Sequence, residues 1–257
     1  MSGLPLVFHQ FRFEQKVFWR SPAAVFFTVM FPVIFLLIFS SLFGNDTIEE
    51  LGGIKTTVYY VPGIITLAVV SASLVSTAIR LTELRESGRL KRVRGTPLPP
   101  WAFVAGRFGN AFTVSVLMVV LVTAIGRVLY DVPIPTTTIP ALLLTLLVGS
   151  FTFCTLGFAL TAFIPNEEAA PAVTNFVVLP LYFLSGVFIP QNEIPNGVLN
   201  FSSIFPIRHF FECFLTAYDP VTTGAGFEWG HLGILAAWGL VGLLLSLRFF
   251  RWTPRSG

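Results

Sequence analysis

The side chains able to do chemistry are few and far apart. His9, His209 and His231 are the only imidazoles, and none of them has the close spacing of a metal-ligand motif, so no metal site is expected. Glu167 and Glu168 are adjacent carboxylates, but neighbouring residues on a helix point about 100° apart and do not form an acid/base dyad. A phosphate-binding GxxxxGK[ST] loop is absent, no Gly-Lys pair occurs anywhere, and neither HExxH nor GxSxG is present. No catalytic residue is assigned, and hydrolysis of ATP by this chain itself is not expected.

The densest chemistry is a run of charge, Glu86-Ser-Gly-Arg-Leu-Lys-Arg-Val-Arg-Gly-Thr-Pro-Leu-Pro-Pro100, in which Arg89, Lys91, Arg92 and Arg94 follow closely on Arg85. Ile79, Leu81, Leu84, Leu90 and Val93 interrupt the charges at spacings that suit short helical pieces with one apolar edge. Gly88 allows a bend, and Pro97, Pro99 and Pro100 end the helix and redirect the chain. A basic loop that touches anionic lipid explains the cations. It does not require Glu83 and Glu86 among them, nor the proline exit.

The elements around this run are oily. The chain has 257 residues, 54% hydrophobic and only 11% charged, with a mean hydropathy of +0.79, whereas an ordinary soluble domain has roughly 25% charged residues. A bilayer core needs about 20 consecutive apolar residues per helix. Six stretches approach that demand: Ala23–Phe43, Val58–Ile79, Phe108–Gly126, Ile139–Ile164, Pro171–Ile189 and His231–Leu247. They are apolar on all faces and do not alternate, which excludes a transmembrane β-barrel. The expected class is an all-α integral membrane protein, one domain over residues 1–257, with Ala23–Phe43 kept as a span and not removed as a signal peptide.

Ahead of the first span, residues 4–21 place Leu4, Val7, Phe8, Phe11, Phe18 and Trp19 at helical spacing, with Arg12, Glu14 and Lys16 left for another face. That suits an amphipathic helix at the membrane surface. Asn45–Thr57 and Asp131–Thr138 look like polar connectors, and Pro165-Asn-Glu-Glu168 is long enough only for a tight turn. Residues 190–228 are too rich in Phe and Ile for a solvated loop, yet Pro195, Pro206 and Pro220 forbid a full span. Short helices dipping back into the membrane fit best.

Of sixteen Lys and Arg residues, thirteen fall on one side of this arrangement, and only Lys55, Arg127 and Arg208 fall on the other. The positive-inside rule then puts both termini in the cytoplasm of a multi-pass protein in the cell membrane. Cys154 and Cys213 are expected to be free. No mid-span acidic residue stands out, which disfavours proton or sodium coupling. Ser73 and Thr77 in the second span, with Thr174 and Asn175 in the fifth, could line a translocation path or merely join helices. The 28 phenylalanines are mostly expected to face lipid or other helices. Together these features suit a hydrophobic or amphiphilic cargo.

At Arg-Glu-Ser-Gly-Arg-Leu-Lys-Arg-Val-Arg-Gly-Thr-Pro-Leu-Pro the chain resembles the cytoplasmic coupling segment of ABC-2-type permeases, the membrane subunits of ABC exporters in the daunorubicin-resistance and polysaccharide-export group. Leu184-Ser-Gly-Val-Phe-Ile-Pro-Gln-Asn-Glu-Ile-Pro195, followed by Phe205-Pro206, is similar to that family's Ser-Gly-x-x-x-Pro segment after the fifth span. Phe205-Pro206 stands where the family often has Asn-Pro, and Arg89 where it often has a small residue. The resemblance implies an exporter of a drug, lipid or lipid-linked molecule: two membrane subunits, with a homodimer the simpler case, and two separate ATPase subunits that bind ATP and Mg. It implies a coupling segment over residues 80–100, with Arg85, Glu86, Gly88, Leu90, Lys91, Arg92 and Arg94 at its centre, Glu86 as a polar contact and Leu90 as an apolar anchor. It also implies an outer motif of Ser185, Gly186, Pro190, Pro195 and Pro206. Membrane lipid is an expected partner and nucleic acid is not. The alternative is a channel or scaffold that needs no ATPase.

Overall fold

The computed structural model describes residues 3–43, 47–48 and 54–254. Most of the expected 45–57 connector, together with Arg255, lies outside them. The fold is all-α apart from a two-residue ribbon in which Thr47–Ile48 pairs antiparallel with Ile54–Lys55.

Helix α1 (Gly3–Trp19) ends at a break before Ser21, whose hydroxyl accepts the Ala24 amide at 3.4 Å and starts α2 (Pro22–Val25) with Pro22 at the first helical position. A π-helical turn at Phe26–Met30 leads into α3 (Phe31–Phe43). The second span, Thr56–Glu86, is α4 (Thr56–Val70), a second π-turn at Ser71–Val75, and α5 (Ser76–Glu86). It is the centre of the molecule: 72% of its most apolar window is buried, against 28% for the windows in Pro22–Ser41, Pro100–Tyr130 and Trp229–Phe249. Every residue of α4 is buried, so the helix that is apolar all round is the one wrapped by the others.

After the short α6 (Arg89–Arg94) comes the long α7 (Pro100–Tyr130), then α8 (Ile139–Leu160) and α9 (Ala169–Leu184). Between α9 and the last helix lie α10 (Asn196–Ser202) and α11 (Pro206–Tyr218), and α12 (Trp229–Phe249) closes the fold. Among the described residues five helices are long and apolar enough to cross a membrane; Ala169–Leu184 is apolar but shorter. The second span runs straight into the charged segment as far as Glu86, and the third begins at Pro100, well before the expected Phe108. Pro99 and Pro100 explain the early start, because proline at the first helical position lacks only an amide hydrogen that the helix could not use.

Contacts place four features at one end of the bundle. Helix α1 packs on α7; α5 and α6 fold against the α8 terminus; and Phe250 and Trp252, past α12, join a cluster with Leu84, Leu90, Phe103 and Phe158. The opposite end carries residues 185–205 and α11, tied to α4 by the Tyr59 hydroxyl, which donates to the Gly186 carbonyl at 2.7 Å. The α8–α12 pair is close-packed: Thr152 and Thr155 donate to the Leu235 and Gly239 carbonyls at 2.9 and 3.1 Å. Cys154 and Cys213 are buried and free.

Candidate coupling surface and cleft

The charged segment forms a helical hairpin. Helix α5 ends at Glu86, and Gly88 takes a left-handed conformation (φ 69°) that turns the chain into α6. No atom lies within 4 Å of where a Gly88 Cβ would sit, so the glycine answers to backbone geometry and not to crowding. Leu90 is completely covered, packed with Leu81, Leu84, Phe103 and Phe158 of its own chain; it anchors α6 to the bundle. Arg89, Lys91, Arg92 and Arg94 are exposed. The hairpin thus holds its apolar edge inward and presents its cations outward.

Arg85 turns away from that exposed edge. Its side chain is 1% exposed, donates to the carbonyls of Thr161 and Ile164 at 2.6 and 2.7 Å, and pairs with Glu86 at 2.6 Å. These carbonyls belong to the turn that closes α8, and a guanidinium beside the C-terminal end of a helix matches its dipole. Arg85 therefore fastens the helical hairpin to α8, and Glu86 completes that charge pair.

Helix α1 differs from the sequence expectation in which face it buries. Glu14, left with Arg12 and Lys16 for a face other than the apolar one, is 2% exposed, while Leu4 and Phe8 are 81% and 60% exposed. Gln10, Glu14 and Phe18 form the buried stripe. Glu14 pairs with Arg107 of α7 at 2.9 Å and accepts from Gln10 at 3.0 Å. Arg107 also donates to the Ser76 carbonyl at 2.7 Å and to the Ser76 hydroxyl at 3.0 Å. In a membrane-surface helix the apolar side meets lipid, so the polar stripe is left for protein.

The four expected path residues sit in two settings. Asn175 borders a cleft of about 820 Å³ between the first span, the second span and α9. Ser73 faces Ser115 across 3.5 Å, Thr77 accepts from Arg107 at 3.4 Å, and Thr174 donates to the Ala170 carbonyl one turn back at 2.6 Å. All three are wholly buried in helix contacts. The cleft is lined instead by Phe27, Phe31, Phe35 and Phe39 facing Phe183 and Phe188, and both π-turns border it through Phe27, Thr28, Ser71 and Val75.

The outer motif is built from backbone turns. Gly186 is left-handed (φ 82°) and Ser185 is buried beside it. Pro190 precedes a 3-10 turn, Pro195 precedes α10, and Pro206 starts α11. Gln191 donates to Glu212 at 2.7 Å, and Arg208 donates to the Leu199 carbonyl at 2.5 Å. His209 and His231, far apart in sequence, meet through their Nδ1 atoms at 2.7 Å. Among the described residues no three of His, Cys, Asp and Glu converge as a metal site.

The family model described as ABC-2 type transporter matches residues 6–218, from α1 through α11. The chain belongs to this family. It is 25% identical over 210 residues to the inner membrane transport permease YadH of Escherichia coli (strain K12), covering 80% of this chain and 76% of YadH. YvfS of Bacillus subtilis (strain 168), which carries a transport-permease name, is 22% identical over 233 residues, covering 91% of this chain and 92% of YvfS. The "Probable multidrug ABC transporter permease YbhR" of E. coli (strain K12) is 24% identical over 152 residues, 59% of this chain and 41% of YbhR. The protein is a multi-pass membrane transport permease, and the family as a whole works in ABC systems that include an ATPase.

Two features of this ABC-2 permease escaped the sequence. The Glu14–Arg107 pair was visible as one acid within a basic surface helix and one cation at the start of an apolar helix, but nothing in the spacing joins them. The His209–His231 contact depends on how the residues between α11 and α12 fold back.

Proposed function

We propose that this chain is the membrane subunit of an ATP-driven exporter, moving a hydrophobic or amphiphilic molecule out of the cytoplasm or inner leaflet. The observation that carries the reading is the hairpin: Leu90 is locked inside while Arg89, Lys91, Arg92 and Arg94 stand exposed at its tip. Buried hydrophobes hold the shape, and the charges select a partner and steer its approach. That partner is a separate ATPase subunit, which supplies the ATP and Mg. On this reading α9 is the fifth of six spans and α12 the sixth, residues 190–228 dip into the outer face, and both termini are cytoplasmic. Two copies assemble, because a six-span half does not readily enclose a path alone.

Arg85 and Leu90 are buried and serve the fold, so the test uses the exposed cations. The tagged chain is purified from its native membrane in mild detergent, as wild type and as Lys91→Glu/Arg92→Glu/Arg94→Glu. Recovery of an ATPase with wild type, and its loss from a folded triple variant, is the expected result. A folded wild type that brings no ATPase through several detergents would replace this reading with a channel or scaffold.

A further inference from the structure

The cleft has a polar continuation. Arg80 and Glu83 line both the aromatic cleft and a separate notch of about 390 Å³, whose other walls are Ser87, Arg89, Glu167 and Glu168. An apolar trough and a charged notch therefore meet at two residues. The trough volume lies in the range of about 300–1,000 Å³ typical of small-molecule sites, and its walls are phenylalanine.

Arg80 is incompletely used by the protein. Its Nη1 donates to Glu83 at 3.1 Å, but its Nε is buried with no hydrogen-bond partner. A buried donor without an acceptor is uncommon. The Arg80 side chain is 22% exposed where it borders the notch, and a guanidinium there fits phosphate oxygens. The notch around it is not simply basic: Arg80 and Arg89 stand against Glu83, Glu167 and Glu168. Two cations against three carboxylates disfavour a head group that carries only negative charge. They suit one that also carries an amine.

We propose that the trough and notch together bind a zwitterionic phospholipid, its acyl chain along Phe27, Phe31 and Phe35, its phosphate on Arg80, and its amine among Glu83, Glu167 and Glu168. This rests on the exporter reading above and names the class of amphiphile that its cleft takes. The short turn between α8 and α9 then has a task, because Glu167 and Glu168 close the head-group end.

The test is photolabelling of the full chain in mixed vesicles, using phosphatidylethanolamine and phosphatidylglycerol probes that each carry a diazirine on one acyl chain, with adducts mapped by mass spectrometry. Phosphatidylethanolamine is expected to label the Phe27–Phe39 and α9 segments at least tenfold more than phosphatidylglycerol does. Arg80→Gln should lower that labelling about tenfold, the effect of losing a charged hydrogen bond of about 1.5 kcal/mol. Glu83→Gln should lower phosphatidylethanolamine labelling and raise that of phosphatidylglycerol. Should Arg80→Gln not fold, competition on wild type by unlabelled phosphatidylethanolamine against unlabelled phosphatidylglycerol decides the same point. Equal labelling by both probes, labelling indifferent to Arg80, or no adduct in the trough would overturn the proposal, as would cross-links showing a second copy seated there. Co-purification of an ATPase in the same preparation separates this failure from failure of the exporter reading.

Discussion

The Glu14 carboxylate lies 2.9 Å from the Arg107 guanidinium, with the two side chains 2% and 5% exposed. This pair fixes α1 to α7, and through Ser76 to α5. Removing one partner strands a buried charge and costs about 3–5 kcal/mol, whereas replacing both by apolar residues can be neutral. Arg107→Leu is therefore expected to lower the unfolding temperature in detergent steeply, and Glu14→Leu/Arg107→Leu to recover most of the loss. Single and double variants that were equally unstable would show that the helix is held by packing alone.

Gly88 and Gly95 bracket α6 but face different demands. Gly88 has φ 69° with open space around it, and Gly95 has φ −80°, ordinary for any residue. Gly88→Ala should cost about 1–2 kcal/mol through backbone strain, and Gly88→Asn less, because Asn tolerates the left-handed region better. Gly95→Ala should be close to neutral. ATPase recovery together with thermal unfolding checks this: the Gly88→Ala hairpin should mis-set and lose partner as well as stability.

The spans were legible because a continuous apolar run has few interpretations in water or lipid, and the Gly88 bend was legible because glycine among helix-forming neighbours marks a turn. Residue roles within the charged segment were harder. Arg85 and Arg92 look alike in sequence, but Arg85 comes opposite the Thr161 and Ile164 carbonyls just past α8, a relation set by helix packing. Glu14 was misplaced because amphipathic reasoning sends charge to solvent, and at a membrane surface the polar stripe can be the one that meets protein. Ser73, Thr77 and Thr174 were fair path candidates by polarity, yet small hydroxyls in apolar helices can equally bond backbone or neighbouring helices. Asn175, with a longer side chain on an open face, was left at the cleft.

Helix α12 carries its own control. A Cβ on Gly239 or Gly242 would stand 2.8 Å from the Thr152 or Thr155 hydroxyl of α8, whereas Gly230 and Gly233 have nothing within 4 Å. Gly239→Val and Gly242→Val should part the two helices and destabilise by about 1–3 kcal/mol. Gly230→Ala and Gly233→Ala should be neutral or slightly stabilising, since alanine is the better helix former by about 1 kcal/mol. Thermal unfolding of the four variants in one detergent reads the contrast, and equal effects from both pairs would contradict the close α8–α12 contact.

The His209–His231 contact predicts a dependence on acid. His209 Nε2 donates to the Ser203 carbonyl at 2.7 Å, so in a neutral His209 the Nδ1 is the acceptor and takes its hydrogen bond from His231. Burial is the main cause that pushes the His209 imidazole below its ordinary value of 6.5; His231 and Arg208 add to it, and the Ser203 carbonyl and Glu212 oppose it. A lowered value in the folded protein means that the unfolded chain takes up this proton first. The contribution is therefore complete above pH 6.5 and declines as pH falls below it, levelling once the folded imidazole also protonates. Wild type should lose unfolding temperature between about pH 7 and pH 5, and His209→Gln should lose less over the same range. Parallel curves for the two proteins would mean that the histidine contact does not join α11 to α12 in the membrane-extracted protein.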